Sequence, residues 1–145
     1  MDQKIVGIGG DHAGFHLKEK LINWLEGAGY EVQDFGTNSE DSVDYPDYIH
    51  PLAHALEEKK FEKGILICGS GNGVAITANK HADVRAALCW NNEIAELARQ
   101  HNDANAIAIP ARFVSEELAF QMVKTFLNTE FEGGRHQRRV QKIPC

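Results

Sequence analysis

The sequence predicts an α/β fold with three layers, α/β/α, around a five-stranded parallel sheet. Two observations predict it. Short apolar runs of strand length alternate with longer segments whose apolar residues recur every three or four positions, as in amphipathic helices. The run Gly64-Ile65-Leu66-Ile67-Cys68 is apolar throughout, as a strand covered on both faces must be. Parallel strands need crossover helices, and those helices supply the covers.

Each element follows in order. Ile5-Val6-Gly7-Ile8 reads as the first strand and empties into Gly9-Gly10-Asp11-His12. Within Ala13 to Ala28, Leu17, Leu21, Trp24, Leu25 and Ala28 recur at helical spacing, and Gly29 supplies a stop signal. Tyr30 to Phe35 forms a second strand, followed by a polar loop from Gly36 to Asp44 and a helix from about Tyr48 to Lys59. The third strand, Gly64 to Cys68, runs into Gly69-Ser70-Gly71-Asn72-Gly73 and a helix from Val74 to Lys80. Val84 to Cys89 is a strand, Asn91 to His101 a helix, Ala104 to Ile109 a strand and Ser115 to Leu127 a helix. This alternation is Rossmann-like. Residues 1–145 contain no repeat, low-complexity tract or linker and read as a single domain. The last segment, about 129–145, carries Gly133-Gly134 and then a basic patch, and is expected to dock at a subunit interface as a short helix.

A chain of 145 residues needs no staples, because it buries ~70% of the surface its unfolded form exposes. Its 15 basic and 21 acidic residues give a net charge of −6, which argues against a general nucleic-acid binder. Yet residues 1–75 hold 13 of the 21 acids, while all six arginines lie beyond the midpoint, so a local basic site fits an acidic whole. No apolar run approaches the ~18 residues of a membrane span, and MDQKIVGIGG lacks the features of a secretory leader. A cytoplasmic protein with no membrane partner is expected. The three cysteines, Cys68, Cys89 and Cys145, form no CxxC pair, which weakens a thiol-redox reading and leaves reduced thiols as the default.

In an open parallel sheet, ligands bind beyond the carboxyl ends of the strands. Asp11 and His12 occupy that position after the first strand, Asp44 and Asp47 beyond the second, and Cys68 to Gly73 after the third. Asn91 and Asn92 follow the fourth strand and Arg112 the fifth. His101 and Asn102 precede the fifth strand, at the opposite end of the sheet, so they join the others only from a second subunit. The GSGNG loop has three glycines in five residues, which permits positive φ and leaves backbone N–H groups uncovered for an anion. It is neither a P-loop nor a dinucleotide fingerprint. Cys68, just ahead of the loop and a helix N-terminus, is a candidate base or nucleophile. A phosphatase-type loop needs an arginine where this chain has Val74, which disfavours covalent phosphate chemistry.

His12/His16 and His50/His54 have the i, i+4 spacing that grips a metal on one helix face, but no third ligand with suitable spacing accompanies them. His16, His50 and His54 therefore read as polar surface residues. His12 and His101 are flanked by polar loop residues that orient an imidazole for proton transfer. In the tail, Arg135 and Arg139 share a helix face, with Arg138 beside them: a solvated basic end or a phosphate clamp. Arg85 and Arg99 have no evident partner.

Five segments together resemble one family: GGDHAGFHLK at 9–18, DYPDY at 44–48, GILICGSGNGVAITANK at 64–80, ARQHNDANAIAIPAR at 98–112 and FEGGRHQRRVQKI at 131–143. The chain resembles the type B ribose-5-phosphate isomerases, a group that also includes galactose- and allose-6-phosphate isomerases. The resemblance implies reversible aldose–ketose isomerisation in the pentose phosphate pathway, through a cis-enediolate and with no metal or organic cofactor. It implies Cys68 as the base, Ser70 as a proton shuttle between the two oxygens, and His101 as the ring-opening residue. Backbone amides of Gly69, Gly71, Asn72 and Gly73 would hold the enediolate, Asp11 and Asp44 would face the sugar hydroxyls, and Asn102 would contact substrate. His12, Arg112, Arg135 and Arg139 would bind the phosphate. Some relatives place a glutamate base just after the glycine loop; Val74 and Ala75 stand there, so no acid competes with Cys68. Relatives are homodimers with shared sites, some paired into tetramers. The alternatives are a six-carbon sugar-phosphate isomerase and a phosphate-ligand-binding module without turnover.

Overall fold

Five parallel strands form one sheet in the computed structural model of the chain, which describes residues 4–145. The strands are β1 (Ile5–Gly10), β2 (Glu31–Asp34), β3 (Lys63–Cys68), β4 (Ala86–Leu88) and β5 (Ala106–Pro110). They lie in the order β2-β1-β3-β5-β4. Helices α1 (Phe15–Gly27), α2 (Pro46–Glu57), α3 (Asn72–Ala78), α4 (Asn92–Gln100) and α5 (Glu116–Asn128) connect or follow them, and α6 (Arg135–Gln141) ends the chain. The predicted alternation is present in full.

The apolar runs are explained by two cores. Successive strand residues point to opposite faces. Ile65, Ile67, Ile107 and Ile109 therefore meet Leu21, Leu25, Met122 and Phe126 on one side. Leu66, Cys68, Ala106 and Ala108 meet Ile49, Leu52, Val74 and Ala78 on the other. With both faces covered, the Gly64–Cys68 part of β3 has no position for a polar side chain.

Three of the element boundaries that differ from the sequence reading have visible causes. The first helix starts two residues late, after a 3₁₀ turn at His12–Gly14 that Asp11 caps by accepting the Ala13 N–H at 3.0 Å. That corner lies tight against β3, since a Cβ on Gly10 would sit 2.2 Å from the Ile67 carbonyl oxygen. The second helix starts early because Pro46 suits a first helical turn. β4 keeps only three residues: the Arg85 N–H is diverted to the Asn105 side chain at 2.7 Å. Asn79 then closes the sheet edge, accepting from the Ala86 N–H at 2.8 Å and donating to the Ala86 carbonyl at 2.9 Å.

The two unassigned arginines are structural. Arg99 is buried and donates to Asp103 Oδ1 at 2.9 Å and to the carbonyls of Ala104 at 2.7 Å and Thr129 at 3.0 Å. Arg85 binds Asp103 from the other side at 3.3 Å. The basic tail docks on its own chain: the Glu132 N–H bonds the Gln100 carbonyl, and His136 is buried against the end of α4.

Candidate active site

The chain steps from β1 to β2 on one side and then crosses back over β1 to reach β3, so the direction of winding reverses between β1 and β3. Loops diverge at such a point and leave a crevice at the carboxyl ends. Here the crevice is an open cleft of ≈ 490 Å³ lined by Asp11, His12, Cys68, Ser70 and Arg112, with Gly69, Gly73, Tyr45 and Phe113. It continues over Asp11, His12 and Tyr45 to Asp44 and Asp47.

Local bonding positions each group. Asp11 is buried, its N–H held by the Ile67 carbonyl at 3.2 Å. The His12 Nδ1 accepts the Val43 N–H at 3.1 Å. A backbone N–H can only donate, so the neutral ring carries its proton on Nε2 and has a donor left for a ligand. The loops after β3 and β5 are stitched together: Ala111 N–H bonds the Cys68 carbonyl at 2.9 Å and Arg112 N–H the Gly69 carbonyl at 3.0 Å. The Arg112 guanidinium thereby lies over Gly69, with Nη1 3.1 Å from where a Cβ would stand.

Gly71 has φ of 77°, and a Cβ there would also lie 2.4 Å from Leu88 Cδ1, so the loop needs glycine at this position twice over. The Ser70 Oγ accepts from the Asn72 N–H at 3.3 Å and Asn72 Nδ2 at 3.2 Å, which leaves the hydroxyl proton to donate elsewhere. The Tyr45 ring lies against Gly73.

Cys68 is 5% exposed and borders the cleft. Cys89 is fully buried, and that burial pushes its thiol up to about 12, so it stays protonated. Cys145 is exposed at the chain end.

A second group of residues lies at the other edge of the sheet. His101 caps the end of α4 and stacks on His136 with ring centroids 4.2 Å apart. The Glu132 carboxylate lies 3.9 Å from His101 Nε2 and 3.6 Å from His136 Nε2. Burial, then the neighbouring His101 and Arg135, hold His136 below the ordinary histidine range. Asn102, Arg135 and Arg139 are exposed beside this stack. The amino and carboxyl edges of a six-residue strand such as β3 are roughly 15–20 Å apart. One chain therefore brings together Asp11, His12, Asp44, Arg112 and the Cys68–Gly73 segment, and leaves His101, Asn102, Arg135 and Arg139 apart.

The sequence reading missed Tyr45 and Phe113. Both border the cleft and are exposed, 37% and 76% respectively. An aromatic side chain carries no sign in sequence that it faces solvent; the only cue was position, Phe113 just beyond β5 and Tyr45 at the start of α2.

Comparison with known proteins agrees with this geometry. The Ribose/Galactose Isomerase family model matches residues 6–143. Ribose-5-phosphate isomerase B of Escherichia coli (strain K12) is 45% identical over 140 residues, 97% of this chain and 94% of the relative. The crystal structure of a ribose 5-phosphate isomerase from Thermotoga maritima matches with a TM-score of 0.96 at 49% identity, covering 99% of both chains. That of ribose-5-phosphate isomerase B from Mycoplasma genitalium with bound ribulose-5-phosphate has a TM-score of 0.94 at 40% identity, covering 99% of this chain and 95% of that one. With its motifs gathered at the winding reversal of a shared fold, and with near-complete coverage by the family model, the chain belongs to the ribose/galactose isomerase family.

Proposed function

We infer that the chain is an aldose–ketose isomerase that interconverts ribose 5-phosphate and ribulose 5-phosphate by proton transfer through a cis-enediolate. The likeness to ribose-5-phosphate isomerases B over nearly the whole chain supports this activity. The observation that carries the mechanism is the meeting of Cys68, Ser70, Asp11, His12 and Arg112 in one cleft.

Isomerisation removes a weakly acidic C–H proton, so the oxyanion that forms must be stabilised and the chain of the sugar held still. In our reading, Cys68 takes the proton from C2 of the open-chain aldose and returns it to C1. Ser70 passes a proton between O1 and O2. The N–H groups of Gly69, Gly71, Asn72 and Gly73 stabilise the enediolate, a contribution commonly worth about 3–4 kcal/mol per donor. Asp11 and Asp44 face the sugar hydroxyls. His12, through Nε2–H, and Arg112 hold the phosphate.

The remaining residues come from a second copy in this reading. His101 opens the furanose ring, Asn102 contacts the substrate, and Arg135 and Arg139 complete the phosphate clamp from the partner's α4–α6 corner. The supporting observations are their distance from Cys68 within one chain and two exposed apolar side chains, Ile76 and Trp90, that a partner would cover. A homodimer with shared sites follows, its tail segment lying at the subunit interface. No described helix is long and apolar enough to cross a membrane. A phosphorylated small-molecule substrate and an acidic composition fit a cytoplasmic enzyme.

The test is kcat/KM on ribose 5-phosphate, allose 6-phosphate and galactose 6-phosphate. The expected result is at least tenfold preference for ribose 5-phosphate. Preference for a six-carbon phosphate would reassign the substrate, and no turnover of any of the three would favour a binding module.

A further inference from the structure

Away from the cleft, three histidines and a glutamate converge where the end of α2 meets the turn after α3. His54 and Glu57 lie one turn apart on α2, and His81 follows α3. The His81 Nδ1 is 2.9 Å from Glu57 Oε1, and the His54 Nδ1 is 3.5 Å from the same oxygen. One donor atom from each of the three residues falls within 4.8 Å of the others. Ligands at about 2.0–2.1 Å from a tetrahedral zinc ion stand roughly 3.3 Å from one another, so these spacings need only small side-chain rotations.

The spacing of His50 and His54 suggests a metal grip that lacks a third ligand. The fold supplies what the sequence spacing does not, because His81 arrives from another element. The side chains of His81 and Glu57 are 9% and 24% exposed, whereas His54 is 67% exposed. Two ligands are thus anchored and one is free to adjust, with solvent access for the remaining positions.

His50 completes the arrangement as an outer partner. Its Nδ1 lies 2.7 Å from His81 Nε2, on the side of the ring away from Glu57. When the His81 Nδ1 lone pair turns to a cation, the ring proton resides on Nε2 and is donated to His50, the kind of second bond that orients metal-bound histidines. Without a cation the chain of bonds runs the other way, from His50 through His81 to the Glu57 carboxylate.

We propose that His54, Glu57 and His81 bind a borderline divalent cation such as zinc, cobalt or nickel, clamping the far ends of α2 and α3. Two imidazoles and one carboxylate suit those ions better than magnesium or calcium, which favour all-oxygen sites. Both helices begin at the cleft, at Pro46 and Asn72, and the clamp ties them at their opposite ends. It is a structural site. No step of the proposed isomerisation passes through it, and binding adds stability because the ligands are brought together only in the folded chain.

The test uses full-length protein stripped with EDTA and titrated with cobalt chloride. Wild type should take up one equivalent per chain with visible d–d absorption, zinc chloride should displace it and raise Tm, and magnesium chloride should do neither. His54→Ala, which alters an exposed ring, and His81→Gln should each weaken cobalt binding by about tenfold or more while keeping ribose 5-phosphate turnover, which reports an intact fold. Glu132→Gln, at the His101–His136 stack, should leave cobalt uptake unchanged. Absence of uptake at micromolar cobalt, uptake indifferent to both histidine variants, or uptake abolished by Glu132→Gln would each overturn the site.

Discussion

Cys68 differs from the other two thiols in surroundings alone. It borders the cleft ahead of a left-handed glycine, whereas Cys89 is sealed in the core and Cys145 lies at the chain end. Cys68→Ala is expected to lower kcat on ribose 5-phosphate by about a thousandfold or more, within the range lost with a general base. Binding of a non-reacting sugar-phosphate analogue, measured calorimetrically, should change little. Turnover at the wild-type rate would remove Cys68 from the mechanism. At this scale, sequence reading works for residues whose chemistry and position coincide. Asp11, His12, Cys68 and Arg112 are polar or reactive and stand at or just past strand ends. It fails where a residue's type misleads: Tyr45 and Phe113 look like core, and Arg85 and Arg99 look like part of a basic field although both are tied to Asp103.

Between elements, the buried Lys18 on α1 reaches the end of β2. Its Nζ lies 2.9 and 3.0 Å from the two Asp34 oxygens, and Asp34 also accepts the Gly36 N–H at 2.9 Å. Removing the acid leaves a buried ammonium whose one remaining charged contact among the described residues is the half-exposed Glu19, at 3.3 Å. Removing the lysine leaves a carboxylate that is 31% exposed and still hydrated. Asp34→Ala should therefore cost about 3 kcal/mol, and Lys18→Met less than about 1 kcal/mol. Thermal melts should show roughly a 10 °C drop for the first and little change for the second; equal losses would contradict the asymmetry. The docking of α6 carries a pH dependence. His136 sits below its ordinary value of 6.5, held there first by burial, so the unfolded chain binds that proton more readily than the folded one. Docking is therefore strongest above 6.5 and weakens as pH falls from there through the lower folded value. Amide protection factors over residues 135–141, taken relative to the intrinsic exchange rate at each pH, should fall between about pH 7.5 and 5.5 in wild type and not in His136→Phe, where position 136 no longer titrates. An equal loss of protection in both would assign the effect elsewhere. Element order was legible because β1, β3 and β5 are built on apolar runs; the edge strand β2, Glu31-Val32-Gln33-Asp34, is not. Boundaries were less so, since the 3₁₀ turn at His12 and the diversion of the Arg85 N–H depend on partners distant in sequence.

At the scale of the molecule, the winding reversal between β1 and β3 places one set of residues at the carboxyl edge, and the α4–α6 corner places another at the amino edge. The net charge of −6 says nothing of this division. The position of His101 before its strand does, and with the proposed role for His101 it calls for a second chain. Which surfaces a second chain would cover was not visible there, because the exposure of Ile76 and Trp90 emerges only once the sheet is covered. The measurement that tests the account most directly combines two inactive variants, Cys68→Ala and His101→Ala, refolded together in equal amounts. If each site takes Cys68 from one chain and His101 from the other, half the dimers are hybrids and each hybrid holds one intact site. Ribose 5-phosphate turnover should then return to about a quarter of the wild-type rate per chain. A mixture as inactive as either variant alone, with hybrid dimers demonstrated by differential tagging, would contradict a site built across two chains.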